Sequence, residues 1–340
     1  MARALHSLIT FFILLILLPA GISSPVLAHA PLIAENNNNL GSATYIPDPA
    51  KSWAIYSELQ MGGEAQYYRF DVRKGEWINV SLFTTTAPED ESFAPGLILT
   101  GPGIAENDLI PSFVETPFQA GTLVVQSARS PEATFEGFTP GVLVELAEIS
   151  WEVPADGTYF IIVFDAERGG HYGLAVGYRE SFTISEWILI PFSLLSIYIW
   201  ERQNPLVVFA PTIAILIIGA TLTFRHKEKT SLDIVGGITI AAGLLYLSTG
   251  ATVFYQLLFA LSQSSPDSFV AVTILLGIIP ILLGIALLRL AFHHSHRWTV
   301  RSQMELFILA VLGIVSWSGY VIGPVLAGIA GILPSFVRKR

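Results

Sequence analysis

Two hydrophobic patterns divide this chain at about residue 183. Before that point apolar and polar residues alternate in short runs, the period-two signature of half-buried strands. Ala65 to Val72 puts Tyr67, Arg69 and Asp71 on one face and Tyr68, Phe70 and Val72 on the other. After a Lys74-Gly75 turn, Trp77, Asn79 and Ser81 alternate with Ile78, Val80 and Leu82. Further runs cover 121–126, 142–153, 159–164 and 172–178, parted by turns such as Pro154-Ala155-Asp156-Gly157. Seven or eight such strands, with almost no helical periodicity, predict an all-β, jelly-roll-like sandwich over residues 31–182.

After residue 183 the alternation gives way to long apolar segments: Leu206–Phe224, Ile234–Leu261, Phe269–Phe292 and Leu306–Leu333. Each is long enough to cross about 30 Å of hydrocarbon at about 1.5 Å per residue. The chain from 204 to 340 is therefore expected to form an α-helical transmembrane bundle. Residues 183–203 hold a shorter run between Trp187 and Trp200, either a short span or a helix lying in the membrane interface. Four spans keep Arg225, Lys227, Lys229, Arg289, Arg297 and Arg301 in the cytoplasm but leave Arg338-Lys339-Arg340 outside; five spans do the reverse. Glycines at 236, 237 and 243, the pair Gly319-x-x-x-Gly323, and Gly328 and Gly331 predict close helix packing, within the bundle or in a homo-oligomer. Ionisable residues sit at or near segment ends, which argues against ion-coupled transport.

The N-terminus changes the picture by giving the sandwich a side. Arg3 and His6, an apolar core from Leu8 to Leu18 and a small-residue end at Ala28-His29-Ala30 have the form of a signal peptide over residues 1–30. Cleavage after Ala28 and cleavage after Ala30 both fit. The sandwich is thus expected outside the cell membrane and the helices within it, in contact with lipid. Residues 31–182 carry 21 acidic and 7 basic side chains, an argument against nucleic acid as a partner. The chain has no cysteine, so disulfides and thiolate chemistry are excluded.

The strands from Tyr67 to Val72, with Gly75-Glu76 and Ile78-x-Val80-x-Leu82, resemble the central hairpin of bacterial pre-peptidase C-terminal-like domains. Ala155-Asp156-Gly157-Thr158-Tyr159-x-Ile161-x-Val163, with Gly170-x-Tyr172-x-Leu174-x-Val176, resembles the closing hairpin of the same jelly roll. The proline-bearing stretch 90–140 departs from that pattern and reads as an insertion. The resemblance implies an accessory module that binds or spaces.

Candidate chemistry is sparse. The start His29-Ala30-Pro31-Leu32 resembles that of periplasmic copper-resistance sandwiches. Cut after Ala28, the chain would begin at His29, whose amine and imidazole, with His171 and an oxygen from Asp165 or Glu167, would form a copper-binding histidine brace. His293-His294-x-His296 reads as a basic interfacial anchor. Glu89-Asp90-Glu91 lacks the spacing of a calcium loop and reads as a solvated loop. No Gly-x-Ser-x-Gly elbow is present. The expected function is non-enzymatic: a membrane-anchored surface module that binds a ligand, an envelope component or a partner protein, with copper handling as the alternative.

Overall fold

A computed structural model describes residues 29–106, 108–227, 233–293 and 298–337, so the signal-peptide region and His294 and His296 lie outside the described residues. Eleven strands run in chain order: β1 (Ala30–Pro31), β2 (Thr44–Tyr45), β3 (Trp53–Leu59), β4 (Glu64–Val72), β5 (Trp77–Thr84), β6 (Gly96–Gly101), β7 (Gly121–Val125), β8 (Thr134–Glu136), β9 (Gly141–Glu152), β10 (Gly157–Asp165) and β11 (Gly170–Val176). They form two mixed sheets, ordered β1-β3-β11-β5-β9-β8 and β2-β4-β10-β6-β7. A single buried cluster joins them: Ile55, Val80, Leu82 and Leu174 from the first sheet meet Tyr68, Phe70, Leu99 and Ile161 from the second.

The two expected hairpins are not hairpins. β4 pairs with β2 and β10, whereas β5 pairs with β9 and β11 in the opposite sheet. The Gly75 turn, at φ +85°, is therefore an arch across the core. The β10–β11 connection is an arch too, since β11 lies between β3 and β5. Alternation predicts the same buried face for an arch as for a hairpin, because both send one side of each strand into a shared core. It does not choose the pairing partner.

The 90–140 stretch supplies β6, β7 and β8 to the sandwich. Its loop around Ile110, Phe113 and Val114 packs over Tyr67, Ile162 and Phe164, on the outer face of the second sheet. That cover explains why the run Ile161 to Phe164 is buried at every position instead of alternating. The asparagine run is also engaged: buried Asn37 exchanges hydrogen bonds with the Tyr67 backbone.

Six helices follow: α1 (Ile184–Trp200), α2 (Pro205–Lys227), α3 (Ile234–Leu261), α4 (Val270–His293), α5 (Val300–Val315) and α6 (Ile322–Val337). Among the described residues α2, α3 and α4 are long and apolar enough to cross a membrane. Helix α1 starts at a Thr183–Glu186 capping box and lies flat along β3. At one end Glu186 pairs with Lys51 at 2.7 Å; at the other the Trp200 indole donates to the Ser57 carbonyl. The outward side chains of β3 thus meet the helix along its length, and Ile190 and Ile197 are buried there. Burial of each such side chain is worth roughly 1.5–3 kcal/mol.

The fourth apolar segment, read as one span from Leu306 to Leu333, is broken. Residues 316–321 leave the helix, with Trp317, Gly319, Tyr320 and Val321 all at positive φ. The chain turns back on itself there. Gly331 lies against Gln303 and Leu306, and Gly328 against Ala310, so α5 and α6 run antiparallel as a hairpin. Of the glycines that suggested close packing, Gly319 and Gly323 serve this hairpin and, with Gly313, accommodate the buried Tyr246 ring of α3, while Gly243 packs against α4. The Tyr246 hydroxyl donates to the Leu309 carbonyl at 3.0 Å.

Candidate binding site between sandwich and helices

Two cavities lie on either side of α1, and Leu194 and Phe138 line both. The smaller, about 60 Å³, separates α1 from the outer face of the first sheet. That is room for a few water molecules. Its polar lining is His29, Tyr56, Glu136 and Glu201, with Thr139 and Ser193, set among Phe83, Ile197 and Trp200. β3 presents Tyr56, the end of β8 presents Glu136, and Glu201 is the residue that ends α1.

Both carboxyls are held far from their ordinary range. Burial pushes Glu136 up to about 7, opposed by the Phe138 backbone N–H and assisted by the negative Asp267 and Glu180. Burial likewise pushes Glu201 up to about 7, against hydrogen bonds from Gln203 and the Val142 backbone. Glu201 approaches so closely that a Cβ at Gly141 would meet its Oε1 and make the carboxylate shift. Tyr56 feels both charges and its own burial, and its hydroxyl is pushed up. The His29 ring is pushed down to about 4 by burial, and its Nδ1 lies 2.5 Å from Ser52 Oγ. Near neutral pH the cavity therefore holds a neutral imidazole and two carboxyls poised between their charged and neutral forms.

The larger cavity, about 360 Å³, lies on the far side of α1. Its walls come from α1, α2, α3 and α4; Phe138 and Pro140 of the sandwich and Trp317 and Tyr320 of the hairpin turn close it, with the Phe138 and Trp317 rings 5.1 Å apart. The lining is almost entirely apolar. Among its hydroxyls, Tyr320 lies 3.0 Å from both Thr212 and Thr252, which are 3.3 Å apart, Thr249 and Ser316 donate to the Leu245 and Leu312 carbonyls, and Tyr198 lines the wall beside them.

The structure does not bring the brace residues together. His29 precedes β1 and sits beside Ser52, whereas His171 on β11 is opposite Glu58. Six residues of β3 separate those positions, roughly 20 Å at the rise of a strand. Both ring nitrogens of His171 are engaged, Nδ1 at 2.6 Å from the Trp200 carbonyl and Nε2 at 2.8 Å from the Glu58 carboxylate. The Asp165 carboxylate accepts the backbone N–H groups of Glu167 and Arg168 and so shapes the turn. Among the described residues no group of three or more His, Asp or Glu side chains is arranged to hold a metal ion.

The acidic run is a correction of a different kind. Glu89 and Glu91 are exposed, but Asp90 is fully buried and bonded to Thr85, the His171 backbone N–H and Arg202. The sequence marked none of the cavity-lining carboxylates, because Glu136 and Glu201 lie 65 positions apart in it without any local motif.

Fold and cavities together define a β-sandwich seated on a helical bundle through one flat helix. No known protein family matches the chain, and no curated protein matches it.

Proposed function

We propose that this chain is a multi-pass protein of the cell membrane whose acidic sandwich faces outward and acts as a non-enzymatic binding module. The signal-like N-terminus supports this reading, as does the two-sheet sandwich seated on apolar helices. The observation that carries it is the firm seating of the sandwich on the bundle. The first sheet is covered by α1, α1 forms a wall of the membrane-side cavity, and buried Asp90 clasps Arg202 between α1 and α2. A sandwich held this way keeps a fixed position relative to the helices below it.

The α5–α6 hairpin supports an outward sandwich through the direction in which the helices run. Helices α2, α3 and α4 are successively antiparallel: Thr212 meets Thr252, Gly219 meets Leu244, and Gly243 and Gly250 meet Gly284 and Gly277. The Trp298 indole donates to Asp233, which sets the start of α5 level with the start of α3. Arg225, Arg289 and Arg301 then share the end of the bundle away from the sandwich, and α6 returns the chain toward that end. This polarity fits the positive-inside bias, with the sandwich outside.

Because the chain has no cysteine, sidedness is measured with single introduced thiols. A cysteine at exposed Ser265, between α3 and α4, is expected to react with an impermeant maleimide in intact cells. One at exposed Val300 is expected to react only after permeabilisation. The opposite pattern overturns the orientation.

A further inference from the structure

The larger cavity opens sideways. Phe192, Phe209 and Ile322 at its rim are 49%, 38% and 56% exposed. The rim continues into the outward face of α2, where Ile213, Ile217 and Leu222 are also exposed. A volume of about 360 Å³ falls in the range of small-molecule sites. The occupant must be apolar, because the walls are overwhelmingly apolar and five of the lining hydroxyls are already engaged, Thr212, Thr252 and Tyr320 with one another and Thr249 and Ser316 with helix carbonyls. It must also arrive laterally, from whatever surrounds the bundle.

The hairpin turn points the same way. Trp317, Tyr320 and Val321 hold φ of +52°, +54° and +66°, a conformation costly for side chains of this kind and worst for a β-branched valine. Non-helical backbone at membrane level occurs where it is buried in protein or lines a cavity. Here the turn lines one, and it is pinned by the bond from the Gly319 N–H to Thr249 Oγ1 at 2.8 Å.

We propose that this cavity binds one acyl chain of a bilayer phospholipid, inserted between α1, α2 and the hairpin turn. This rests on the reading of the helices as membrane-embedded, and it names the ligand that the membrane itself supplies. The chain enters tail first and meets Phe209, Val253, Leu276 and Trp317. Its headgroup stays at the level of α1.

The test uses Trp317, which lines the cavity and is only 8% exposed, so that lipid around the bundle hardly touches it. Full-length protein is reconstituted in vesicles of dioleoylphosphatidylcholine or of its acyl-brominated form, and Trp317→Phe is used to isolate the Trp317 emission by difference. Bromine on an inserted chain is expected to reduce that emission more than twofold. Val253→Phe, which fills the cavity, is expected to restore it, with Leu276→Phe serving as a second filling variant should the first fail to fold. Mass spectrometry of the detergent-extracted protein is expected to show one retained phosphatidylcholine, lost in the filled variant. Equal Trp317 emission in both lipids, or undiminished quenching in a folded filled variant, overturns the proposal. Retention of a free fatty acid in place of phospholipid overturns the source. A chain that labels at Ser265 and Val300 as expected, yet keeps Trp317 bright, loses the lipid site alone; reversed labelling removes the orientation and leaves the quenching result standing.

Discussion

Asp90 and Arg202, 112 residues apart, meet in a two-point clasp: Arg202 Nε donates to Oδ2 at 3.0 Å and a terminal nitrogen to Oδ1 at 3.2 Å. Asp90 is fully buried at the foot of the sandwich, and Arg202 stands at the elbow between α1 and α2 with φ +60°. Burial alone would raise the Asp90 carboxyl; hydrogen bonds from Arg202, Thr85 and the His171 backbone overcome it and hold the group below its ordinary value. Removing Arg202 leaves a buried charge without its counterion. Arg202→Ala is expected to destabilise the docked state by about 3 kcal/mol. The loss should appear as early release of the sandwich in limited proteolysis of the reconstituted protein, before the helices unfold.

Glu136 makes stability depend on pH in the direction opposite to Asp90. Its folded value of about 7 lies above its ordinary 4.5, so the folded state holds the proton more tightly. The resulting stabilisation is complete below about pH 4.5 and is lost as pH rises through 7. Thermal unfolding of Glu136→Gln, followed by tryptophan fluorescence, should match the parent at pH 4.5 and exceed it at pH 8. A gain at pH 4.5 as large as that at pH 8 would refute this assignment.

Tyr246 fills a slot made by three glycines on the hairpin. A Cβ at Gly313 would collide with its ring, so Gly313→Ala is expected to cost about 2 kcal/mol through overpacking. Tyr246→Phe keeps the ring and loses only the hydroxyl bond to Leu309, an expected cost of about 1 kcal/mol. Denaturant unfolding of the two variants in detergent should rank them in that order.

The mature N-terminus is expected at His29. Ala30 is fully buried in the sandwich core, and its N–H donates to the Ser52 carbonyl at 2.9 Å. Cleavage after Ala30 would delete the first residue of β1, whereas cleavage after Ala28 spares the whole strand. Amino-terminal sequencing of the exported protein decides between them.

Much of the sandwich was legible because burial on one face writes itself into alternate positions. The strands from Tyr67 to Val72 and from Ile78 to Leu82 show it plainly. β3 was missed although Trp53, Ile55 and Leu59 alternate, because α1 covers its other face and leaves Ala54 and Tyr56 where polar residues would mark the period. β6 is buried at all six positions, so it has no alternation to read. In the helices, composition revealed apolar length but not direction. Nothing in a run of apolar residues from 306 to 333 announces that Tyr320 and Val321 turn the chain back. The clue was Gly319 among bulky neighbours, a residue suited to positive φ as well as to close packing.

The cavity carboxylates were illegible for a different reason. A catalytic motif or metal loop is local in sequence, whereas Glu136 and Glu201 become neighbours of Tyr56 only after β8 joins the sheet and α1 lies down on it. The brace reading failed on the same ground. Two histidines can lie in one sheet and still be separated by the length of a strand.

Helix α1 is a partition one helix thick, with ionisable side chains on one side and an apolar chamber on the other, and Leu194 is exposed to both. Two sites sharing one wall obey thermodynamic reciprocity: whatever factor an inserted tail imposes on proton affinity at Glu136 and Glu201, protonation returns to the tail's affinity. If an inserted tail displaces α1 and changes those proton affinities, acidity and lipid occupancy enter a single equilibrium, linked through the helix whose Leu194 lines both cavities.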